Sequence, residues 1–202
     1  MARPSLATLR FQAATALAYG ARGLIWFMAR DYSGGAVDFT GGALDARGDP
    51  GLLYDDLKQV NQWMRGLAPA LMTLEARGVM LIDPVPNWAE VFVPGFSGLT
   101  SAPANLLLAE HEAAGSADGG DRYLWGVNRD LGQRRLGELS FRCAVQLGEV
   151  ATDGTAEGAS EHRIQLGAGE GKLLRISPMP GCDLDGPSAG RERARVIWRT
   201  EG

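Results

Sequence analysis

Histidine and cysteine are nearly missing from this chain, whose 202 residues hold two of each: His111, His162, Cys143 and Cys182. Soft ligands this few and this scattered form no metal-binding spacing, so neither a metal nor a cofactor is expected. Two isolated cysteines are also too few for a disulfide framework. Cys143 lies in an alternating apolar run and reads as a small core residue. The histidines sit in separate strand-like segments and read as surface or strand-edge imidazoles. Basic charge is short as well. The formal net charge is -4 and the pI about 5.2, which leaves no excess to release counterions from nucleic acid. Long apolar runs are absent: residues 6–19 are broken by Thr8, Arg10, Gln12 and Thr15, and no stretch has the length and apolarity to span a bilayer. The opening residues lack the basic-then-apolar layout of a secretory signal. The glycine-rich run 167–171 reads as a turn, since it lacks the strand-to-helix setting and Lys-Ser/Thr ending of a phosphate loop. Asp118, Asp121, Asp183 and Asp185 sit in loops without the ligand spacing of a calcium loop.

What is present suits a folded chain, with 45% hydrophobic and 22% charged residues. The pattern changes style near residue 75. Before it, Ser5 offers an N-cap, and Leu6, Leu9, Ala13 and Leu17 repeat at helical spacing, with Gly20 placed just past the helix end. Gly23-Leu24-Ile25-Trp26-Phe27-Met28 is short and continuously apolar, as a strand buried on both faces would be. A loop from about Ala29 to Gly48 follows. Asp49-Pro50 reads as an N-cap with proline at the first helical position. Leu53, Leu57, Val60, Met64, Leu67 and Leu71 then stripe a second helix that Pro69 should kink or end.

After residue 75, period two takes over. Leu139, Phe141, Cys143, Val145 and Leu147 alternate with more polar or smaller residues. Further strands are expected at 79–82, 88–93, 105–112, 122–128, 162–166, 171–176 and 194–199, spaced as in an antiparallel β-sandwich, with loops at 115–121 and 153–161. The expected fold class is therefore α/β plus β, divided into 1–75 and 76–202. A lone parallel strand at 24–28 needs neighbours for its backbone groups, and the chain offers no parallel partner. The α/β part is thus expected to be truncated, with Met1 an internal methionine or a miscalled start.

Leu9-Arg10-Phe11-Gln12-Ala13, followed by Ala16-Leu17-Ala18-Tyr19-Gly20-Ala21-Arg22-Gly23-Leu24-Ile25-Trp26-Phe27, resembles the end of a clan A glycoside hydrolase barrel. The nearest pattern is that of the family forty-two β-galactosidases and their relatives. Weaker likenesses follow at Asp45–Pro50, at Tyr123–Asp130 and at Gly167–Ile176. The resemblance implies that 5–19 is the seventh helix of a (β/α)8 barrel, 24–28 the eighth strand and 52–72 the eighth helix, with a β-sandwich accessory domain behind them. Phe27-Met28-Ala29-Arg30 departs from the Gln-Trp-Arg type motif of that family, so the resemblance identifies no particular sugar.

Glycoside hydrolysis normally uses two carboxyl groups. In clan A the resemblance puts them after the fourth and seventh strands, and this chain begins after both, so no catalytic residue is assigned here. What remains is the rim after the eighth strand, where barrel sites lie. Trp26 suits a sugar platform, or else is core packing. Arg30, Asp31 and Tyr32 offer hydrogen bonds to sugar hydroxyls, or else form a solvated loop. Asp55 and Asp56 complement a helix dipole, and Asp83, Glu90, Glu110 and Glu112 are expected on exposed strand surfaces. The expected function is a fragment of a β-galactosidase-like hydrolase, with a carbohydrate substrate and a missing N-terminal barrel portion as partners. The alternative is a non-catalytic carbohydrate-binding or structural β-sandwich module, which packs against a barrel or helps a homo-oligomer form.

Overall fold

The computed structural model describes residues 4–35, 38–87, 89, 96–113, 121–151, 155–159 and 162–184. Two helices, α1 (Leu6–Ala18) and α2 (Tyr54–Leu71), precede ten strands. These are β1 (Leu74–Leu81), β2 (Leu99–Ser101), β3 (Leu106–Ala113), β4 (Arg122–Asn128), β5 (Arg135–Glu138), β6 (Ser140–Phe141), β7 (Val145–Val150), β8 (Ala156–Ala159), β9 (Arg163–Leu166) and β10 (Gly171–Pro178). Six of them form one sheet in the order β1-β3-β4-β10-β7-β8, and β2-β6 and β5-β9 form two short pairs. All of these strand pairings are antiparallel.

The large sheet is buried on both faces, and residue alternation assigns the sides. Leu106, Leu108, Leu124, Leu174 and Ile176 point to one core, where Leu99, Ile164 and Leu166 from the short pairs meet them. Leu107, Ala109, Trp125, Val127 and Leu173 point to the other, against Ala14, Leu17 and Ala18 of α1 and Leu67 of α2. Trp125 has no solvent exposure. Its indole N–H donates to the Ala14 carbonyl at 2.9 Å, and its ring lies 5.9 Å from that of Trp63 on α2. Close approach of α1 requires glycine at 171, since a Cβ there would sit 2.7 Å from the Ala14 Cβ and 3.0 Å from Trp125 Cζ2.

Helix α1 begins and ends as its residues dictate. The Ser5 hydroxyl accepts from the Thr8 N–H at 3.2 Å. At the other end Gly20 has φ +83, and the N–H groups of Ala21 and Gly20 reach the carbonyls of Ala16 and Leu17 at 3.0 and 2.9 Å, a Schellman closure.

Several expectations fail for identifiable reasons. Residues 24–28 form no strand, because a strand exists only through edge partners and none of the described segments supplies one. Asp49-Pro50 does not open α2. Pro50 instead bridges to Leu44, and the helix starts at Tyr54 without a side-chain cap, its first turn carrying Asp55 and Asp56. Pro69 does lie in the last turn, as expected: α2 ends only two residues beyond it, and proline removes the N–H that would bond the carbonyl four residues back. The alternating run 139–147 is split into β6 and β7, whose partners are β2 on one side and β10 with β8 on the other. Strand β8 occupies part of the span expected as the loop 153–161, while β2 and β5 were not anticipated. Strands β3, β4, β9 and β10 fall within a residue or two of their expected spans, whereas β1 begins at Leu74, five residues before the expected 79–82. The expected strands 88–93 and 194–199, Glu90, Asp118 and Asp185 lie outside the described residues, wholly or in large part.

The cysteines are also corrected. Cys143 and Cys182 are joined as a disulfide with Cα atoms 5.4 Å apart. Their separation of 39 residues hides the pairing from spacing rules, because the fold alone brings them together. Glu110 and Glu112 are not freely exposed: Ser97 donates to Glu110 at 2.6 Å, and Glu112 accepts from Arg77 and Arg122.

His111 is likewise no surface group. On β3 it shares the helix-facing side with Leu107 and Ala109, is 2% exposed, and its Nε2 has no hydrogen-bond partner among the described residues. Burial, assisted by the nearby Arg22 charge, pushes its pKa down to about 4. The unfolded chain therefore binds this proton more readily than the folded one, so the stabilisation is complete above about pH 6.5 and fades as pH falls toward 4. The full effect is on the order of 3 kcal/mol. Urea midpoints measured from pH 7 to 4.5 should drop more steeply for the native chain than for His111→Gln. Trp125→Ala should destabilise by about 3–5 kcal/mol in the same assay.

Candidate functional site

Between the two helices runs a 35-residue arm, 19–53, with little regular structure. Its first part lies along the helix pair. Leu24 and Trp26 pack against a small core of Leu9, Ala13, Leu53, Leu57 and Val60. Trp26 also donates its indole N–H to Asn61 Oδ1 of α2 at 2.9 Å. The alternate residues point away: Ile25 is 98% exposed and Phe27 84%. Among the described residues, no backbone hydrogen bond joins 23–28 to any other segment. This stretch therefore has the side-chain alternation of a strand, one covered face and free edges. Beside it lies an open concavity of about 310 Å³ lined by Gln12, Leu24, Ile25, Trp26 and Phe27.

The second part closes on itself. Leu44 N–H donates to the Ala29 carbonyl at 2.8 Å, and Asp31 N–H to the Leu44 carbonyl at 2.9 Å. Tyr32 and Phe39 exchange both backbone bonds at 2.9 and 2.8 Å. Arg30 gives its guanidinium to the Ala46 carbonyl. Asp31 Oδ1 accepts from the Gly42 N–H at 2.6 Å. The turn at the base is organised by Asp45, whose Oδ1 accepts from the N–H groups of Arg47, Gly48 and Asp49 at 2.8–2.9 Å. Those bonds, the one from Asp49 foremost, hold the Asp45 carboxyl below its ordinary range. Tyr32 keeps an exposed ring, 55% accessible.

The four residues singled out from sequence thus have different positions. Trp26 belongs to the concavity and is anchored to α2. Arg30 and Asp31 spend hydrogen-bonding capacity on the arm's own backbone. Tyr32 presents a ring to solvent. The tie between the two parts of the arm is the edge-to-face contact of Phe27 with Phe39, centroids 5.7 Å apart. Sequence reading passed over Phe39, Asn61 and Gln12. Phe27 was detectable by its position two residues beyond Ile25 on the opposite side to Trp26. Among the described residues, the exposed rings, Tyr19, Phe27, Tyr32, Phe39 and Tyr54, all lie in the first 54 positions. No acidic side chain lines the concavity, and no cluster of three or more metal-ligating side chains occurs among the described residues. No described helix is long and apolar enough to cross a membrane.

No protein-family model matches the chain, and no curated protein matches it. Solved structures with a similar arrangement include a GH27 β-L-arabinopyranosidase from Geobacillus stearothermophilus in complex with arabinose, at 13% identity and a TM-score of 0.28, over 40% of this chain and 19% of that one. A candidate α-N-acetylgalactosaminidase from Bacillus halodurans C-125 is 11% identical with a TM-score of 0.36, over 86% of this chain and 31% of the other. A γ-CGTase from alkalophilic Bacillus clarkii is 16% identical with a TM-score of 0.40, over 86% and 24%. The chain spans less than a third of the length of each.

The Trp26–Asn61 bond makes a direct prediction. Asn61→Ala should lower stability by about 0.5–1.5 kcal/mol in urea titration, the ordinary worth of one such bond. Asn61→Gln, with a longer amide, should recover part of the loss.

Proposed function

We propose that this chain is the C-terminal portion of a glycoside hydrolase, β-galactosidase-like, whose bond-cleaving carboxylates are supplied by an upstream (β/α)8 barrel. One observation carries the reading. Segment 23–28 alternates like a strand, covers one face with the helix pair, and leaves Ile25 and most of Phe27 exposed, with its backbone edges unpaired among the described residues. A soluble chain gains nothing from holding apolar side chains beside unsatisfied strand edges, whereas both would be satisfied between parallel neighbours of a barrel. The likeness of residues 9–27 to a clan A helix-and-last-strand supports the same assignment. In that setting Trp26, Arg30, Asp31 and Tyr32 stand at the end of the last strand, where barrel sites form, and their substrate is a carbohydrate held by O-glycosidic bonds. The concavity without a carboxylate accords with a chain that cannot cleave the bond unaided.

The alternative, a stand-alone carbohydrate-binding β-module, is less well supported. Sugar-binding surfaces need exposed rings, and among the described residues of β1–β10 no aromatic ring is exposed.

The test is to read the gene upstream of the Met1 codon and to produce both the present and the extended protein. The present chain should hydrolyse no nitrophenyl glycoside. The extended one should turn over nitrophenyl β-galactoside or a related aryl glycoside, and lose at least ~10³-fold when either upstream carboxylate is replaced by its amide. A stop codon just before Met1, or an upstream frame without strand–helix units, would overturn the reading. A second measurement is independent of substrate choice. Ile25→Asp should change the stability of the present chain by within about 0.5 kcal/mol, as exposed substitutions do, but cost the extended protein about 3 kcal/mol or more. Equal effects in both would mean that nothing covers this face.

A further inference from the structure

The end of the described chain is held down in an unusual way. After β10 the chain turns back across the rim of the core formed by the large sheet and the two short pairs. Met179 N–H donates to the Ala144 carbonyl at 3.0 Å, and Cys182 N–H to the Met179 carbonyl at 2.9 Å. Leu184, 6% exposed, enters the core. It lies so close to Gly98 that a Cβ on that glycine would be 2.6 Å from Leu184 Cδ2. Between these contacts stands the single covalent link, Cys143–Cys182, joining the segment after β6 to the returning end. Both cysteines are half-buried and pack against the same core, and no cysteine is left free.

We propose that Cys143 and Cys182 are a structural disulfide made during maturation in an oxidising compartment, and that the bond latches residues 179–184 over the rim of the β core. The chemistry balances with a disulfide-bearing exchange catalyst. Each Cys thiol loses a proton, one S–S bond forms in this chain, and the two electrons reduce one disulfide of the catalyst to a dithiol. Such pairs persist outside the reducing cytosol and are rare within it. The geometry is that of a staple rather than a reactive switch, for the two cysteines are the full complement of the chain and both are packed. A link across 39 residues also restricts the unfolded chain strongly, which is where most of its stabilisation originates in the chain-entropy account. The inference concerns where the protein matures and what holds its C-terminal rim, and is independent of which sugar, if any, the protein meets.

The test uses the full chain. Recovered by export through an oxidising compartment and alkylated with a maleimide under denaturing conditions, it should take up no label by intact mass, and two labels after reduction. Two labels without reductant would overturn the proposal. Reduction, or the double variant Cys143→Ser with Cys182→Ser, should lower the thermal midpoint by roughly 5–15 °C; a change within 2 °C would remove the latch. If that variant fails to fold, chymotryptic cleavage of the unmutated chain after Leu184 decides. Reduction should speed it at least tenfold, and an unchanged rate refutes the latch. In cells of the source, the chain should be found in an extracytoplasmic or secreted fraction with blocked thiols. Finding it in the cytosol with free thiols would overturn the compartment assignment.

Discussion

A six-stranded sheet with apolar residues on successive positions has two faces to cover, and this requirement organises the rest of the molecule. On one side two short antiparallel pairs, each joining strands far apart in sequence, complete the cover. On the other the cover comes from α1 and α2, and the contact that fixes them is Trp125 under α1. The indole fills the space beneath the helix, donates to the Ala14 carbonyl, and sits where glycine at 171 lets the helix approach. Removing the helices would expose Leu107, Trp125, Val127 and Leu173 together, an apolar area that a soluble sheet does not leave bare. The two helices and the strands that follow are therefore mutually dependent in packing, whatever their separate origins in sequence pattern.

The arm between the helices obeys a different balance. Its second half satisfies itself: Asp31, Asp45 and Arg30 all turn inward on backbone groups, so a loop rich in glycine keeps a defined course with little apolar burial. Its first half is left incomplete, with Leu24 and Trp26 covered and Ile25 and Phe27 not.

Much of this was readable beforehand where one physical rule acts locally. The Ser5 cap, the Gly20 closure and the apolar stripe of α1 depend on neighbours within a turn or two, and they formed as expected. Strands β4 and β10 were legible as short, largely apolar runs between turn residues, because both of their faces are buried in a continuous sheet. The local rules failed where a distant partner decides. The run 139–147 was divided because β2 claimed one end and the central sheet the other. Pro50 was drawn into a bridge with Leu44 instead of starting a helix. At the site, Trp26 could be singled out by residue type, while its bond to Asn61 and the Phe27–Phe39 contact could not, since each joins residues that the linear pattern does not relate.

By itself the sequence determined the helices, most strands of the large sheet, the acidic net charge, and the presence of an apolar segment at 24–28 with no parallel partner. These are consequences of short-range sterics, periodicity and charge, which act along the chain. Only the tertiary structure decided that Cys143 meets Cys182, that His111 is buried with its Nε2 unpartnered among the described residues, that Trp125 pins α1 to the sheet, and which side of segment 23–28 stays bare. Each of those depends on residues brought together across tens of positions, and proximity of that kind exists only once the layers have packed.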